Sequence, residues 1–580
     1  MFLKIQLVSL KYKLQILLLI FATHQVYYIT KIGTWWDESY HNLAAKLTIA
    51  KIKFAVLGIK SNEYRYDFSD HEFFGMFYQI QVYFFSKLNF LYSYLNSNFF
   101  VNELHFTYFL RHIYLVFYSC LGLYFIFLLL KYLQSENFAF VYILFLILIP
   151  SINGFGLFDD KDIPYAIHLF IAYLMYLYFV KNFEEGNHPN KKLIFLTGLS
   201  FGLLLLIRFN GIAFLTILLI SINVLNLKNL IDKKFFFQNL AIGGYSLLIF
   251  LLGTVQGWGE YPKYLKNLYW QQFKVSTWNG TTIVNGEVFR KSGDTSYLFK
   301  IFFYKLPLTY FLMILIVLFL FKMIRKNKLL SSSIVFLFLF FIAYLVLKPA
   351  AYSYERQYIF IFCFINLIAS FSIYGSKSFI YKYSLVTIVL VFNIYTQYGL
   401  EEFKYTYLNE FVNEKEISTI DPNCFEFGDC GQWSTDHVSI SGLEMAKMVS
   451  DTDIPLMTCA PYHTVSIFNN KDNYINLNEN HIFKSGKDLM DYTLINKELL
   501  IQNNSQRIYS DINLFSNFIK ESNIKTFNYL SEHQLTDKGN HCLHFLNQKN
   551  KLNCRLVEEN FVRLRGTKVS INFLLTCDVN

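Results

Sequence analysis

At 580 residues the chain has room for two or more domains, and a hydrophobic fraction of 54% beside only 16% charged residues excludes an ordinary soluble globule. The formal net charge of +10 does not point to nucleic acid, because Lys and Arg fall in short clusters between apolar runs and form no basic stripe. Aromatic residues reach 19%, more than membrane spans require, so no single Phe or Tyr is read as a binding platform.

Lys4, Lys11 and Lys13 precede the apolar run Leu14 to Ile20 in the manner of a signal sequence. No small-x-small pattern follows around Phe21 to Gln25, which predicts an uncleaved signal anchor. Crossing roughly 30 Å of hydrocarbon takes about 20 mostly apolar residues. Eleven runs qualify, at 14–30, 106–130, 138–152, 164–180, 192–207, 211–227, 236–256, 300–322, 330–347, 357–374 and 380–398. The segment 73–91 is apolar too, but Gln79, Gln81, Ser86 and Lys87 interrupt it, and it reads as an interfacial helix.

With the N-terminus inside, the short basic connections carrying Lys131, Lys181, Lys191, Lys192, Lys228, Lys233, Lys234, Lys322, Arg325, Lys326, Lys328, Lys377 and Lys382 all face the cytoplasm. The loops 31–105, 153–163, 208–210, 257–299 and 348–356, and the tail 399–580, then face outward. The expected fold class is therefore an α-helical polytopic membrane protein, N-in and C-out, with a C-terminal extracytoplasmic α/β domain. Residues 1–398 form the transmembrane part, including interfacial helices in its first outward loop, and 399–580 the outer domain.

Cys120 and Cys363 lie in apolar runs and read as packing residues. Cys424, Cys430, Cys459, Cys542, Cys554 and Cys577 all lie in the tail, where an oxidising compartment favours disulfides. Six thiols permit fifteen pairings, among which closeness along the chain favours Cys424–Cys430 and Cys542–Cys554. Ser441 to Glu444 is a capping box opening a short helix. Pro455–Cys459, His463–Phe468, Cys542–Leu546 and Val569–Leu575 read as strands.

The chemistry-bearing residues sit on the outward loops. Trp35-Trp36-Asp37-Glu38-Ser39-Tyr40-His41 follows the first span directly, and adjacent carboxylates at a membrane surface each raise the other's pKa when desolvated. Trp35, Trp36 and Tyr40 read most simply as an interfacial aromatic belt. The second loop, Gly154-Phe-Gly-Leu-Phe-Asp159-Asp160-Lys161-Asp162-Ile163-Pro164, gathers three acids around one Lys at a helix start. An N-cap role accounts for Asp162 and extends to Asp160, but leaves Asp159 and Lys161 unexplained.

An Asp-Glu pair just after the first span, then an acidic loop before the fourth, resembles the GT-C superfamily of membrane glycosyltransferases. Protein O-mannosyltransferases and lipid A aminoarabinose transferases are the members it looks most like. Some bacterial members carry Gly-His-x-x-x-Asn-Pro-Lys-Asp-x-Pro in the second loop. Gly154, Lys161, Asp162 and Pro164 match that pattern, while Phe155, Asp159 and Asp160 replace its His, Asn and Pro. Arg208 and Gly211 resemble a family Arg-x-x-Gly bend, Tyr354-Glu-Arg356-Gln357-Tyr358 a later Arg motif, and Phe425 to Ser434 a tail motif.

The resemblance implies transfer of a sugar from a polyprenyl or dolichyl phosphate to an extracytoplasmic acceptor, by an inverting hexosyl- or pentosyltransferase. It implies a catalytic set of Asp37, Glu38 and Asp162, with Asp37 as general base and Glu38 orienting the acceptor or Asp37 itself. Lys161, Arg208 and Arg356 are expected to meet the donor phosphate, although each alone also reads as a snorkelling anchor. His41, Asp159, Asp160 and Tyr354 are expected substrate or metal contacts, His41 either ligating a metal with Asp37 or Asp162 or binding the donor phosphate. Some members use a divalent ion and others do not, so the cofactor stays open. So does the choice among protein, lipid and glycan acceptors, and between a bacterial inner membrane and the endoplasmic reticulum. The alternative is a transporter or flippase of lipid-linked glycans, a class that places ionisable groups at mid-membrane depth.

Overall fold

The computed structural model describes residues 10–35, 38–59, 75–94, 100, 103–186, 189–270, 281–284, 287–290, 295–349, 354–374, 378–412, 443, 448, 454, 456–458, 474–476, 481–483, 525–532 and 552–579. Within these residues the first helices are α1 (Leu10–Ile29), α2 (Glu38–Leu57), α3 (Met76–Ser86), α4 (Glu103–Leu133), α5 (Glu136–Ile147) and α6 (Pro150–Phe155). There follow α7 (Asp162–Glu184), α8 (Lys191–Ile207), α9 (Gly211–Asn223), α10 (Leu227–Leu230), α11 (Lys233–Gly253) and α12 (Tyr261–Tyr269). The last group is α13 (Ser296–Lys305), α14 (Leu308–Phe319), α15 (Phe321–Lys326), α16 (Lys328–Leu347), α17 (Phe360–Ser370) and α18 (Phe379–Gln397).

Helices fall on each of the eleven apolar runs, although not each is one straight rod. Six are long and apolar enough to cross a membrane, and counting one bent pair as a span makes seven. Apolar side chains stay exposed along α11 (Leu240, Leu247, Leu248, Leu252) and α18 (Ile388, Val391, Ile394, Tyr395), the faces a lipid surround would cover. The protein is an integral, multi-pass membrane protein. α3 has 11 residues and rises about 16 Å, half of what a crossing needs.

Prolines break two of the expected spans. The run 300–322 is α13 and α14, bent by 105°. Pro307 stands between them, and Leu306 before it turns extended (φ −86°, ψ 125°), since proline crowds an α-conformation at the preceding residue. The run 138–152 divides likewise. α5 ends at Ile147, Ile149 is extended, and Pro150 starts α6, where its missing N–H costs nothing.

Polar side chains cap the helices that follow the basic connections. Ser135 accepts from the Phe138 amide ahead of α5, Asn190 from Leu193 ahead of α8, Asp232 from Lys234 and Phe235 ahead of α11, and Asn327 from Leu330 ahead of α16. These satisfy amides that a helix start leaves without partners. α7 is apolar around its whole circumference and buried along most of its length, which makes it the central helix. α4, α8 and α17 pack directly against it. At 1.5 Å per residue its 23 residues hold Asp162 about 34 Å from the Glu184 end, which lies in the basic connection with Lys181.

A six-stranded mixed sheet is formed by β3 (Leu456–Thr458), β4 (Tyr474–Asn476), β5 (His481–Phe483), β6 (Thr526–Glu532), β7 (Leu552–Leu564) and β8 (Thr567–Val579), in the order β5-β4-β3-β6-β8-β7. A separate hairpin pairs β1 (Thr281–Val284) with β2 (Glu287–Arg290). β3 runs parallel to β4 and β6, and the remaining pairs are antiparallel. Arg565 and Gly566 make the two-residue β7–β8 turn, both at positive φ, as a tight hairpin requires. That turn docks on the chain after α18: Arg565 donates to the Leu408 and Val412 carbonyls, and the Arg563 amide to Gly399.

The structure corrects one expected disulfide. Cys554 bonds Cys577 rather than Cys542, because the hairpin register sets those two directly opposite. β3 falls within the expected strand Pro455–Cys459, and β8 contains Val569–Leu575. The expected strands His463–Phe468 and Cys542–Leu546, Cys424, Cys430, Cys459 and Cys542, and the tail motif 425–434 lie outside the described residues. So does most of the capping box, of which Leu443 is helical.

Candidate functional site

Glu38 opens α2, and His41 follows three residues later on the same helical face. Neither reaches solvent. Two turns into α4, the neighbouring Arg111 and His112 grip the two oxygens of Glu38. Arg111 Nε donates to Oε1 at 2.9 Å, and His112 Nε2 lies 3.1 Å from Oε2. The same guanidinium donates through Nη2 to Asp160 Oδ2 at 2.8 Å, so Arg111 bridges the first acidic loop to the second. His41 Nδ1 lies 2.6 Å from Asp160 Oδ1, and Gln79 of α3 donates to the Asp160 carbonyl at 2.9 Å. Segments far apart in sequence are thus joined through one fully buried cation.

The second half of the site centres on Asp162, the first residue of α7. Arg208, which closes α8, pairs with its Oδ1, and Arg356 Nε lies 3.5 Å from its Oδ2. Each guanidinium also lies over an aromatic ring, Arg208 over Tyr165 at 5.7 Å and Arg356 over Trp35 at 5.0 Å. Trp35 is fully buried and packs edge-on to His41, which corrects the reading of it as part of an interfacial belt. The helix-capping role expected of Asp162 belongs to Asp159 instead. Asp159 Oδ1 accepts from the Lys161 amide at 3.2 Å and the Asp162 amide at 2.9 Å, while its Oδ2 has no hydrogen-bond partner among the described residues.

Burial and the charge of Asp162 push the Asp159 carboxyl well above the usual carboxylate range, with Arg356 opposing. Burial acts upward on Asp160 as well, but His41 and then Arg111 outweigh it and hold that carboxyl below its ordinary value. Two adjacent acids are thus shifted in opposite directions by their surroundings.

Behind Arg356 lies a further buried group. Tyr354 is buried at φ +55°, and its amide donates to the Tyr297 hydroxyl at 2.9 Å. Glu355 is fully buried and its Oε1 accepts from the Ser151 hydroxyl at 2.6 Å. Lys305 Nζ is 3.9 Å from the same oxygen and donates to the Tyr405 carbonyl at 2.7 Å. Burial pushes the Glu355 carboxyl up, against the pull of Lys305.

Of the expected site residues, the structure gathers Glu38, His41, Asp159, Asp160, Asp162, Arg208 and Arg356 in two linked clusters. Lys161 is half-buried beside them, and Tyr354 belongs to the group behind Arg356. Asp37 lies outside the described residues. Among the described residues no three His, Cys, Asp or Glu side chains are grouped to hold a metal ion. The His41 ring lies against Asp160. Sequence reasoning missed Arg111, His112, Gln79, Glu355 and Lys305. Arg111-His112 had a signal: a charge inside an apolar run marks function unless something else explains it.

No protein-family model matches the chain, and no curated protein sequence does. Solved structures do. ArnT from Cupriavidus metallidurans in the apo state superposes with a TM-score of 0.50 at 11% identity, covering 98% of this chain and 98% of that one. The chain has the GT-C fold of ArnT. ArnT bound to undecaprenyl phosphate gives 0.47 at 11% identity over 97% of each chain. The archaeal oligosaccharyltransferase AglB from Archaeoglobus fulgidus, in complex with an inhibitory peptide and a dolichol-phosphate, gives 0.42 at 11% identity over 90% of this chain and 69% of its own. The clusters around Glu38 and Asp162 sit where α2 and α7 begin and α8 ends, at the opposite end of α7 from its basic connection.

Proposed function

We propose that the chain is a glycosyltransferase that passes a sugar from a polyprenyl or dolichyl phosphate to an acceptor outside the cytoplasm. One observation carries this reading: Arg208 and Arg356, from segments far apart in sequence, converge on the single buried carboxylate Asp162. Two guanidiniums face one carboxylate there, and Lys161 next in the chain is a third cation beside them. A polyprenyl-phosphate sugar is a monoanionic diester whose leaving phosphate becomes a dianionic monoester. Fixed cations placed where that charge grows stabilise the transition state more than the ground state.

In the reaction so read, the acceptor oxygen attacks the anomeric carbon from the face opposite the phosphate. The carbon–phosphate-oxygen bond breaks, its electron pair stays on the phosphate, and the configuration inverts. The acceptor proton passes to Asp37, assigned by the family resemblance. Glu38, gripped by Arg111 and His112, holds the start of α2. A divalent ion, where a member of the fold uses one, would supply further positive charge at the phosphate.

The alternative of a glycan transporter draws on Arg111 and Lys305, charges buried within helices. Both are tied to carboxylates of the site or just behind it, which favours positioning over translocation. The experiment is incubation of the purified protein with a synthetic undecaprenyl-phosphate sugar and lipid, peptide and glycan acceptors. Release of undecaprenyl phosphate with formation of a glycosylated acceptor is expected. Movement of the lipid-linked sugar across vesicles without transfer would establish the transporter instead, and undiminished transfer by Asp37→Asn would remove Asp37 as base.

A further inference from the structure

One fully buried ion pair stands outside the chemistry of the site. Lys305 is 2% exposed and Glu355 0% exposed, and neither belongs to the clusters around Glu38 and Asp162. A buried ion pair is commonly no more stable than an apolar pair of the same shape, so stability alone does not account for this one. Its position does. Residues 354–356 form a short strap whose successive side chains meet different walls. Tyr354 stacks against the Lys305 ammonium at 5.0 Å, Glu355 meets Lys305 and Ser151, and Arg356 turns to Trp35 and Asp162.

The strap backbone is held in a form it would rarely take unaided. Tyr354 sits at φ +55°, which residues other than glycine seldom adopt, and the Tyr297 hydroxyl receives its amide. The Glu355 carbonyl then accepts from the Tyr358 amide, closing the turn Arg356–Tyr358 that leads into α17. Lys305 ties α13 to this strap and, through the Tyr405 carbonyl, to the segment after α18. Gly154 of the acidic loop lies against that segment so closely that a Cβ there would meet the Tyr405 amide nitrogen at 2.2 Å.

From this geometry we infer that Lys305 and Glu355 are positioning residues, which set the place of Arg356 opposite Asp162 and thereby the site's affinity for the donor's phosphate. The inference rests on the proposed function for its ligand, and its own content is the coupling of Lys305 to Arg356. A pair that served only to hold the fold together would act independently of Arg356.

The test is a double-mutant cycle on the full chain in nanodiscs, with undecaprenyl phosphate as the probe. Lys305→Met is expected to weaken its binding about tenfold with Arg356 present, within the range that interacting neighbours show, and by less than about twofold in the Arg356→Gln background. Equal losses in both backgrounds, or no loss in either, overturn the proposal. Glu355→Gln, nearly isosteric, carries the same cycle if Lys305→Met does not fold. A wild-type protein that binds no undecaprenyl phosphate retires the functional reading. The positioning claim is then decided by the same cycle read as thermal midpoints, where additive shifts overturn it and non-additive shifts support it.

Discussion

Between Asp159 and Asp160 one peptide bond separates a carboxyl that burial and Asp162 drive toward its neutral form from one that His41 and Arg111 hold as an anion. The two leave opposite marks on stability. Asp159 keeps its proton to higher pH when folded than the ~3.9 at which an unfolded Asp ionises. Above about pH 4 the folded state therefore binds more protons than the unfolded, and Asp159 makes stability fall as pH rises until it ionises in place. Asp160 is depressed, so its contribution is present above the unfolded value and is lost only as pH falls through its folded value. Asp159→Asn keeps an oxygen to accept from the amides of Lys161 and Asp162 and removes the ionisation. Thermal midpoints taken from pH 4.5 to 8 should show the variant gaining on wild type as pH rises. A constant difference would mean that Asp159 titrates as an ordinary carboxylate. Asp159, Asp160 and Asp162 were visible in the chain as an unusual cluster. Which of them caps α7, which pairs with His41 and which faces two arginines was not, because partners from α2, α4, α8 and the strap before α17 decide it.

At the scale of elements, prolines and register did most to reshape the expectations. Pro150 and Pro307 lie within 138–152 and 300–322, each expected to be one span, and the structure divides both runs there. The β7–β8 hairpin shows why closeness along the chain is a poor guide to disulfide pairing. Cys542 and Cys554 are nearer in sequence, yet the register of β7 on β8 brings Cys577 opposite Cys554. Peptide mapping under non-reducing conditions should recover Cys554 linked to Cys577, and a Cys542–Cys554 peptide would contradict the register. The bridge closes a span of 23 residues, so Cys577→Ser should cost about 3 kcal/mol by the chain-entropy estimate, measurable in denaturant unfolding. Arg565 in the turn of the same hairpin clamps the Leu408 and Val412 carbonyls, a contact that no local pattern announces.

For the whole molecule, the apolar runs and the basic clusters between them make a joint statement about orientation. If the spans alternate as expected, the basic connections share one end and the acid–arginine site the other; α7 bears one at each of its ends. Reporters fused after Ser372 should read the cytoplasm and those after Tyr398 the outside; the reverse pair would overturn the parity of the spans. Hydropathy by itself put a helix on each of the eleven apolar runs, though not on α2, and with charge it set Asp37, Glu38, Lys161, Asp162, Arg208 and Arg356 on loops or span ends expected to face outward, since those signals are local and additive along the chain. Only the tertiary structure made Arg111 a bridge from Glu38 to Asp160, buried Trp35 under Arg356, and backed that arginine with Lys305 and Glu355. An ion pair is a short-range contact between distant segments, and no run of one segment's residues records which partner packing will bring to it.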